Sequence, residues 1–140
     1  MRFMVFVKAN ADTEAEVLPT EAQMTEMMAF NEALAAAGVI KDGDGLQPTA
    51  KGARVMFSGE QRSIVRGPFG APGETVAGYW LWECESLDAA IEWAKRCPNP
   101  TGNEGQLEIR PFFEMDDFGD AATPELRAQE DALRQRLHGE

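Results

Sequence analysis

The chain of 140 residues is poor in the side chains that most often carry chemistry, with one histidine, one tyrosine and two cysteines. A transition-metal centre needs a cluster of His and Cys ligands, so the composition argues against a metal. Cys84 and Cys97 lie 13 residues apart, which fits neither a redox CxxC pair nor zinc ligands and predicts reduced, partly buried thiols. Glycine-rich phosphate loops and a GxSxG nucleophile motif are also absent, so no cofactor is predicted.

Long apolar runs and positive charge are scarce as well. No apolar stretch approaches the roughly 18 residues that span a bilayer, and residues 1–10 lack a signal-peptide core, so we expect a cytoplasmic protein without a membrane partner. Lys and Arg number 13 against 24 Asp and Glu, which gives a net charge of −11. Because nucleic-acid binding needs clustered positive charge, no nucleic-acid partner is expected.

The remaining composition is that of an ordinary globular protein, with 44% hydrophobic and 26% charged residues. A chain of this length folds as one domain and buries enough surface to need no disulfide.

Strand patterns occur in five segments. Residues 2–8 are rich in Val and Phe with apolar side chains on both faces, which predicts a central strand covered on both sides. Pro111 predicts that the last strand is an edge strand or carries a bulge. The predicted strands are residues 2–8, 53–58, 61–66, 78–85 and 106–114, of which the second and third form a hairpin around Gly59 and Glu60.

Helix signals occur at three places. Thr20 with Gln23 predicts a capped helix that ends at Gly38. Its apolar stripe, interrupted by Asn31, consists of Met24, Met27, Met28, Leu34 and Ala35. Ser86 caps a second helix over 87–96, which Pro98 and Pro100 end, and Thr123 with Pro124 begins a C-terminal helix with a thin leucine stripe.

The segments between these elements predict loops. They are residues 9–18, 41–51, 67–77 and 101–105, followed by an acidic linker over 116–123. We therefore divide the chain into a domain over residues 1–115 and a second segment over residues 116–140, which consists of an acidic linker and the C-terminal helix.

The predicted fold class is α+β, with the order β-α-β-β-β-α-β and an extra C-terminal helix. The nearest common architecture is the ferredoxin-like split βαβ, with an antiparallel sheet and helices on one face. In residues 2–8 and 78–85, large apolar side chains occur at both odd and even positions and therefore on both faces of each strand. Face-to-face homodimerisation is the simple way to cover the second face of the sheet, so we expect a homodimer.

Five short motifs in order resemble the YCII-related (DGPF-domain) family. They are MRFMVFVKA at the start, NEALAAAGVI, RGPFGAPGETVAGYW at residues 66–80, LDAAIEWAKRCP and LEIRP, and together they cover roughly residues 1–115. The resemblance implies a small dimeric α+β barrel built from ferredoxin-like units. It leaves the activity largely unassigned, since some relatives look like enzymes on aromatic or acidic metabolites and others occur beside transcription regulators.

The chain departs from the family pattern at chemically important positions. Arg66 stands where the motif has Asp, and Gly73 stands where a Lys is frequent, although the neighbouring acidic position is kept as Glu74. A His–Asp pair is proposed as catalytic in some relatives, but the single histidine, His138, lies outside the resembling region. A histidine-based mechanism is therefore not transferable.

Three cationic side chains are candidate ligands for an anion. Arg110 lies in a strand between apolar neighbours, where its planar guanidinium suits a carboxylate, and the alternative is a salt bridge with Glu83, Glu85 or Glu108. Arg66 precedes the Gly-Pro turn as a possible anion contact, and Lys8 ends the first strand, where an ordinary exposed lysine is the alternative.

The other candidate residues are aromatic or polar. Trp80 and Trp82 share one strand face and are suited either to stacking an aromatic ligand or to packing in the core or dimer interface. Phe69 is a pocket wall or a core plug, and Asn31 orients a ligand or bonds the backbone. Glu74 is the candidate catalytic base, with a solvated loop carboxylate as the alternative.

These residues favour a small-molecule binder or enzyme whose pocket lies between the sheet and the 66–77 loop. The expected ligand is a small anionic, possibly aromatic metabolite held by Arg110 and Arg66. A non-catalytic regulatory module that acts through protein partners is the alternative, favoured by the absence of a family histidine and by the acidic C-terminal helix.

Overall fold

The structure, a computed structural model, describes residues 1–99 and 104–139. Its regular elements are β1 (Arg2–Lys8), α1 (Ala11–Glu14), α2 (Glu21–Ala36), β2 (Ile40–Gly45), β3 (Ala53–Ser58), β4 (Gln61–Arg66), β5 (Val76–Glu83), α3 (Leu87–Lys95), β6 (Leu107–Pro111) and α4 (Pro124–Leu137). Two 3₁₀ turns, Thr49–Lys51 and Met115–Ala121, join them. The predicted loop over 101–105 falls mostly outside the described residues.

Four strands form one antiparallel sheet in the order β2-β5-β1-β6. With α2 following β1 and α3 following β5, this is the strand order of the ferredoxin-like split βαβ. The predicted α+β class with an antiparallel sheet is confirmed. The central position of β1 and the edge position of β6, which ends at Pro111, are confirmed as well.

One face of the sheet carries the hydrophobic core. Phe3 and Val5 of β1 pair with Trp82 and Trp80 of β5, so all four side chains project from the same face. They are buried against Phe30 and Leu34 of α2 and Ala90 of α3. The core is therefore built where two central strands meet two crossover helices.

Trp80 contacts three side chains of this region, two on α2 and one on its own strand. Its indole Nε1 donates a hydrogen bond of 3.0 Å to Asn31 Oδ1 on α2. Its ring lies edge-on to Phe30 with centroids 5.9 Å apart, and next to Trp82 at 5.6 Å. The indole thus fixes how α2 lies on the sheet.

The largest correction concerns the predicted loop over 41–51, which contains strand β2. The segment Ile40–Gly45 pairs with β5 although most of its side chains are exposed. Apolar alternation is missing because an edge strand of this kind is held by its backbone pairing and not by its side chains. Gly43 lies against Trp80, and a Cβ there would be 2.7 Å from Trp80 Cδ1.

Two other predicted loops contain short helical turns. The segment over 9–18 includes α1, because Asn10 and Thr13 form a reciprocal capping box. The acidic linker over 116–123 is largely the 3₁₀ turn Met115–Ala121. The strands predicted over 78–85 and 106–114 are Val76–Glu83 and Leu107–Pro111, and the helix over 87–96 is Leu87–Lys95.

The predicted apolar stripe of α2 is correct at Leu34 and Met27 but wrong at Met24, Met28 and Ala35, which are exposed. Met24 and Met28 are exposed, whereas Phe30 and Leu34 are buried and Met27 is half-buried. The physical reason is that the aromatic Phe30 packs on Trp80 and Trp82, which rotates the buried face of the helix toward it.

The β3–β4 hairpin is confirmed as a hairpin, but it forms a two-stranded sheet of its own instead of joining the main sheet. It is inserted between β2 and β5, and the ends of the insertion are adjacent, since Leu46 N donates to Ala77 O at 2.8 Å. Every residue of both hairpin strands is exposed.

The contact between β2 and Trp80 leads to a first prediction. Gly43→Ala should lower the free energy of unfolding by about 1–3 kcal/mol, because the added methyl collides with the Trp80 ring and the Tyr79 carbonyl. Gly45→Ala on the same strand is the matched control, since a Cβ there meets nothing within 4 Å. Urea unfolding followed by circular dichroism measures both, and equal effects would contradict the packing argument.

Candidate functional site

The second face of the sheet is less buried than the face that packs on the helices. Met4 and Phe6 of β1 lie opposite Leu81 and Tyr79 of β5, and all four are half-buried. We call these four residues the open face. Because they are large and apolar and face away from both helices, this surface is suited to a second layer of protein.

A row of charges borders the open face along β6. Glu108 forms two ion pairs, one with Lys8 Nζ at 3.6 Å and one with Arg110 Nη1 at 4.0 Å. Lys8 and Arg110 thus share one carboxylate, and the pairing of Arg110 with Glu108 is one of the salt bridges considered as an alternative to ligand binding. The Arg110 side chain remains 70% exposed, and its distance to Glu108 is at the limit of an ion pair, so most of its hydrogen-bonding capacity stays available.

Arg110 also lines a cavity of about 540 Å³ at the end of β6. The cavity, here called the Arg110 cavity, is lined by Met1, Arg2, Arg110, Pro111, Phe112, Phe113, Glu114 and Asp117. Its volume lies in the usual range of about 300–1,000 Å³ for small-molecule sites. Two cations, two aromatic rings and two carboxylates therefore surround one space.

The second arginine of this cavity is held by its neighbours. The Arg2 guanidinium donates from Nε and Nη2 to the two oxygens of Glu114, both at 3.2 Å, and lies 4.9 Å from the ring centroid of Phe112. Asp117 Oδ2 accepts from Glu114 N at 2.7 Å. Because Arg2 is satisfied by Glu114, Arg110 is the cation of the cavity with the weaker partner.

A wider groove of about 640 Å³ adjoins the Arg110 cavity and shares Arg2, Phe113 and Glu114 with it. We call it the C-terminal groove. It lies between the 3₁₀ turn and α4, and its charged lining residues are Glu114, Asp116, Glu130 and Asp131 together with Arg2, Arg127 and Arg134, which pair with the first three of these carboxylates. Phe113 and Phe118 stack with centroids 5.0 Å apart and stay 71% and 50% exposed.

The loop that follows β4 and begins with Gly67 and Pro68 is anchored at the end of the sheet opposite to the Arg110 cavity. Glu14 accepts from the Thr49 hydroxyl at 2.6 Å, and the same hydroxyl accepts from Phe69 N at 3.2 Å. Arg54 of the hairpin stacks over the Phe69 ring at 4.2 Å. Glu74 Oε2 accepts from Ala71 N at 2.9 Å, so this carboxylate closes the turn of its own loop.

The predicted site residues therefore fall into three places. Arg110 and Lys8 lie beside the open face, and Asn31, Trp80 and Trp82 are part of the helix-side core. Arg66, Phe69 and Glu74 lie in the hairpin and the loop that follows it. This loop is hydrogen-bonded to the end of β1, since Ala9 N donates to Thr75 O and Gly73 N donates to Ala9 O. Since Phe3 pairs with Pro111 at the other end, about 20 Å of strand separates this group from the Arg110 cavity.

Sequence reasoning missed Arg2, Phe112 and Phe113. Arg2 has the same strand parity as Lys8, and this alternation was the available signal for a second cation on the open face. The aromatic pair follows β6 directly, but its place beside Arg2 depends on the chain leaving the sheet after Pro111, which no local pattern shows.

Two further observations bear on the chemistry available. Burial raises the pKa of the Cys97 thiol to about 11 and raises that of Cys84, where the positive N-terminus acts in the opposite direction. In residues 1–99 and 104–139, no group of three or more His, Cys, Asp or Glu is arranged to hold a metal ion. Over the same residues, every helix is too short or too polar to cross a membrane.

Comparison with known proteins now defines the class. The sequence profile of the YCII-related domain family matches residues 1–116. The chain belongs to this family, which confirms the resemblance found in its motifs. An uncharacterized protein of Rhizobium meliloti strain 1021 is 30% identical over 92 residues, an alignment that covers 66% of this chain and 74% of that protein.

A solved structure is also similar in part. It is 5-chloro-2-hydroxyhydroquinone dehydrochlorinase from Burkholderia phenoliruptrix AC1100 in complex with 2,5-dihydroxybenzoquinone. The two share 13% sequence identity with a TM-score of 0.47, over 81% of this chain and 95% of that chain.

The Asn31–Trp80 hydrogen bond gives a second prediction. Asn31→Ala should lower the free energy of unfolding by about 1–3 kcal/mol, because the buried Trp80 N–H loses its acceptor. Asn31→Asp keeps an acceptor, and Glu32→Ala on the exposed side of α2 is the matched control. If chemical denaturation gave Asn31→Ala and Glu32→Ala the same free energy of unfolding, the Asn31–Trp80 hydrogen bond would not stabilise the fold.

The buried thiol gives a third prediction. Since the folded pKa of Cys97 is raised, the unfolded thiol ionises first, and stability is lost as pH rises from 9.0 to about 11. Cys97→Ser keeps the donor to the Pro98 carbonyl but does not titrate there. The wild-type free energy of unfolding should therefore fall relative to Cys97→Ser across this window in urea titrations, and a constant difference would refute the assignment.

Proposed function

We propose that the chain binds a small aromatic carboxylate in the Arg110 cavity, and that it does so as a homodimer joined through the open face. The observation that carries the binding proposal is Arg110 itself. Its guanidinium is 70% exposed, lines a cavity of about 540 Å³, and has its nearest carboxylate only at 4.0 Å. An incoming carboxylate oxygen at hydrogen-bond distance competes well with that contact.

The aromatic preference follows from the walls of the cavity. Phe112 and Phe113 present two rings, one of them 71% exposed, and an aromatic ligand gains stacking there that an aliphatic acid lacks. Glu114 and Asp117 line the same space and repel a second negative charge on the ligand. A monoanionic aromatic acid fits these walls better than a dianion.

The homodimer follows from the open face. Met4, Phe6, Tyr79 and Leu81 lie in the middle of the sheet and have no covering layer within the described residues. A second copy placed face to face buries both surfaces at once, since the same patch serves both partners of a two-fold dimer. Arg110 borders this face, so the ligand cavity opens beside the interface.

The alternative function, a non-catalytic module that acts through protein partners, is favoured by α4. Leu126, Leu133 and Leu137 are between 45% and 72% exposed on this helix, whose three acidic residues are balanced by three arginines. If the chain binds no small ligand, the exposed leucines of α4 are the surface that we propose for a protein partner.

The fourth prediction tests ligand binding with benzoate as the probe. Titration calorimetry should detect benzoate binding, and Arg110→Gln should weaken it by about tenfold or more because a charge-assisted hydrogen bond is lost. Arg136→Gln, an exposed arginine of α4 away from the cavity, is the matched control. Phe113→Ala should weaken benzoate more than acetate.

Three outcomes would contradict the proposal. One is the absence of benzoate binding at millimolar concentration. Another is equal binding by Arg110→Gln and wild type, which would remove Arg110 from the site. A third is tighter binding of phthalate than of benzoate, since the acidic wall disfavours the second charge.

A further inference from the structure

The two edges of the four-stranded sheet differ in how their outward backbone N–H groups are bound. At the β2 edge, Gly43 N donates to Asp42 Oδ1 at 2.8 Å, and Gly45 N donates to Asp44 Oδ1 at 3.1 Å. Both N–H groups lie on the side of β2 away from β5, because the even-numbered residues, up to Leu46, form the ladder bonds to β5. The β2 edge is therefore closed by its own side chains.

The opposite edge, β6, has outward N–H groups that no side chain of the described residues binds. The bond from Phe112 N to Arg2 O fixes the pairing of β6 with β1, in which the even-numbered residues of β6 face β1. The backbone groups of Leu107, Ile109 and Pro111 therefore point outward. Within residues 1–99 and 104–139, neither the Leu107 N–H nor the Ile109 N–H has a hydrogen-bond acceptor. Such unpaired groups on an edge strand are a ready template for another strand.

The backbone groups of the β6 edge are complementary to those of the same edge in a second copy. A two-fold axis normal to the sheet at Ile109 places the two Ile109 residues opposite each other, and Leu107 of each copy opposite Pro111 of the other. The two Ile109 residues then exchange N–H···O bonds, and each Leu107 N–H meets a Pro111 carbonyl. Pro111 has no N–H, but at this position only its carbonyl is needed to accept from Leu107. Every outward N–H group of the two β6 strands is then bonded.

The charged side chains of β6 favour the same register. Centred on Ile109, the pairing places Glu108 of each copy opposite Arg110 of the other, at positions where cross-strand side chains approach most closely. A slip of two residues in one direction brings the two Glu108 carboxylates together, and a slip in the other direction brings the two Arg110 guanidinium groups together. Within one chain these side chains are 38% and 70% exposed and only 4.0 Å apart, so both can reach a second copy.

We infer that two copies of the chain pair antiparallel through β6, so that their two sheets of four strands join into one continuous sheet. Because the axis is normal to the sheet, the helices of both copies stay on one side and both open faces stay on the other. The inference is therefore independent of the proposed open-face homodimer, and the two contacts together would give a tetramer. It is also independent of the proposed ligand, since the Arg110 guanidinium has five N–H donors and can bind a second carboxylate.

The fifth prediction tests the backbone pairing by removing its central donor. Ile109→Pro deletes an outward N–H without deleting a bond to β1, and proline is tolerated on the outer side of an edge strand. Because the two-fold axis repeats the loss, the dissociation constant of the β6 pair should rise at least about tenfold. Ile109→Ala keeps the N–H and is the matched control for the packing of the isoleucine side chain on the core. Sedimentation velocity over a range of concentrations measures both variants.

Hydrogen exchange reports the same contact at a single amide. In the wild type and in Ile109→Ala at about 1 mM, the Leu107 amide proton should exchange at least about tenfold more slowly than in Ile109→Pro, because pairing protects it. The Gly43 and Gly45 amide protons, which are bound by carboxylates of their own chain at the other edge, should exchange at one rate in all three proteins.

Charge reversal tests the register. Arg110→Glu places carboxylates opposite each other at both ends of the pair, so it should weaken the β6 pairing at least about tenfold, whereas Lys41→Glu on the β2 edge should not. Equal association of Ile109→Pro and Ile109→Ala, or an unprotected Leu107 amide in the wild type at about 1 mM, would overturn the pairing. Either result would leave the open-face homodimer and benzoate binding in place, because neither uses the outward N–H groups of β6.

Discussion

The packing of Trp80 between the sheet and α2 is the contact on which the rest of the structure depends. Its indole N–H is bound by Asn31, its ring contacts Phe30 and Trp82, and its other neighbour is the backbone of Gly43. One side chain therefore positions a helix above the sheet and an edge strand beside it. Because β2 leads into the hairpin, the place where the hairpin leaves the sheet is set by the same ring.

The two faces of the sheet have different roles as a consequence of strand alternation. The helix side is closed, with Phe3, Val5 and Trp82 fully buried. The other side keeps Met4, Phe6, Tyr79 and Leu81 half-buried and places Arg110 at its border. Close packing is thus concentrated on one face, and half-buried apolar side chains bordered by an exposed arginine are left on the other.

Much of the fold could be predicted because its signals are local. Thr20 with Gln23, Ser86, and Thr123 with Pro124 mark helix starts whose capping bonds the structure contains, and Pro111 marks an edge strand. Strand β2 could not be predicted, because its backbone pairs with a distant strand and Gly43 is required by the close approach of Trp80 and the Tyr79 carbonyl. In the candidate site, strand alternation indicates which cations share a face of the sheet, but Phe112 and Phe113 line the Arg110 cavity only because the chain turns after Pro111, which no local pattern shows.

The position of the hairpin in the chain separates it from the folding of the domain. It is inserted between two strands that are already hydrogen-bonded neighbours, and Leu46 and Ala77 close the insertion at its base. Lengthening, shortening or replacing such an insertion changes no strand order and leaves the core contacts in place. Evolution can therefore change the length and the exposed side chains of this hairpin without altering the domain that folds.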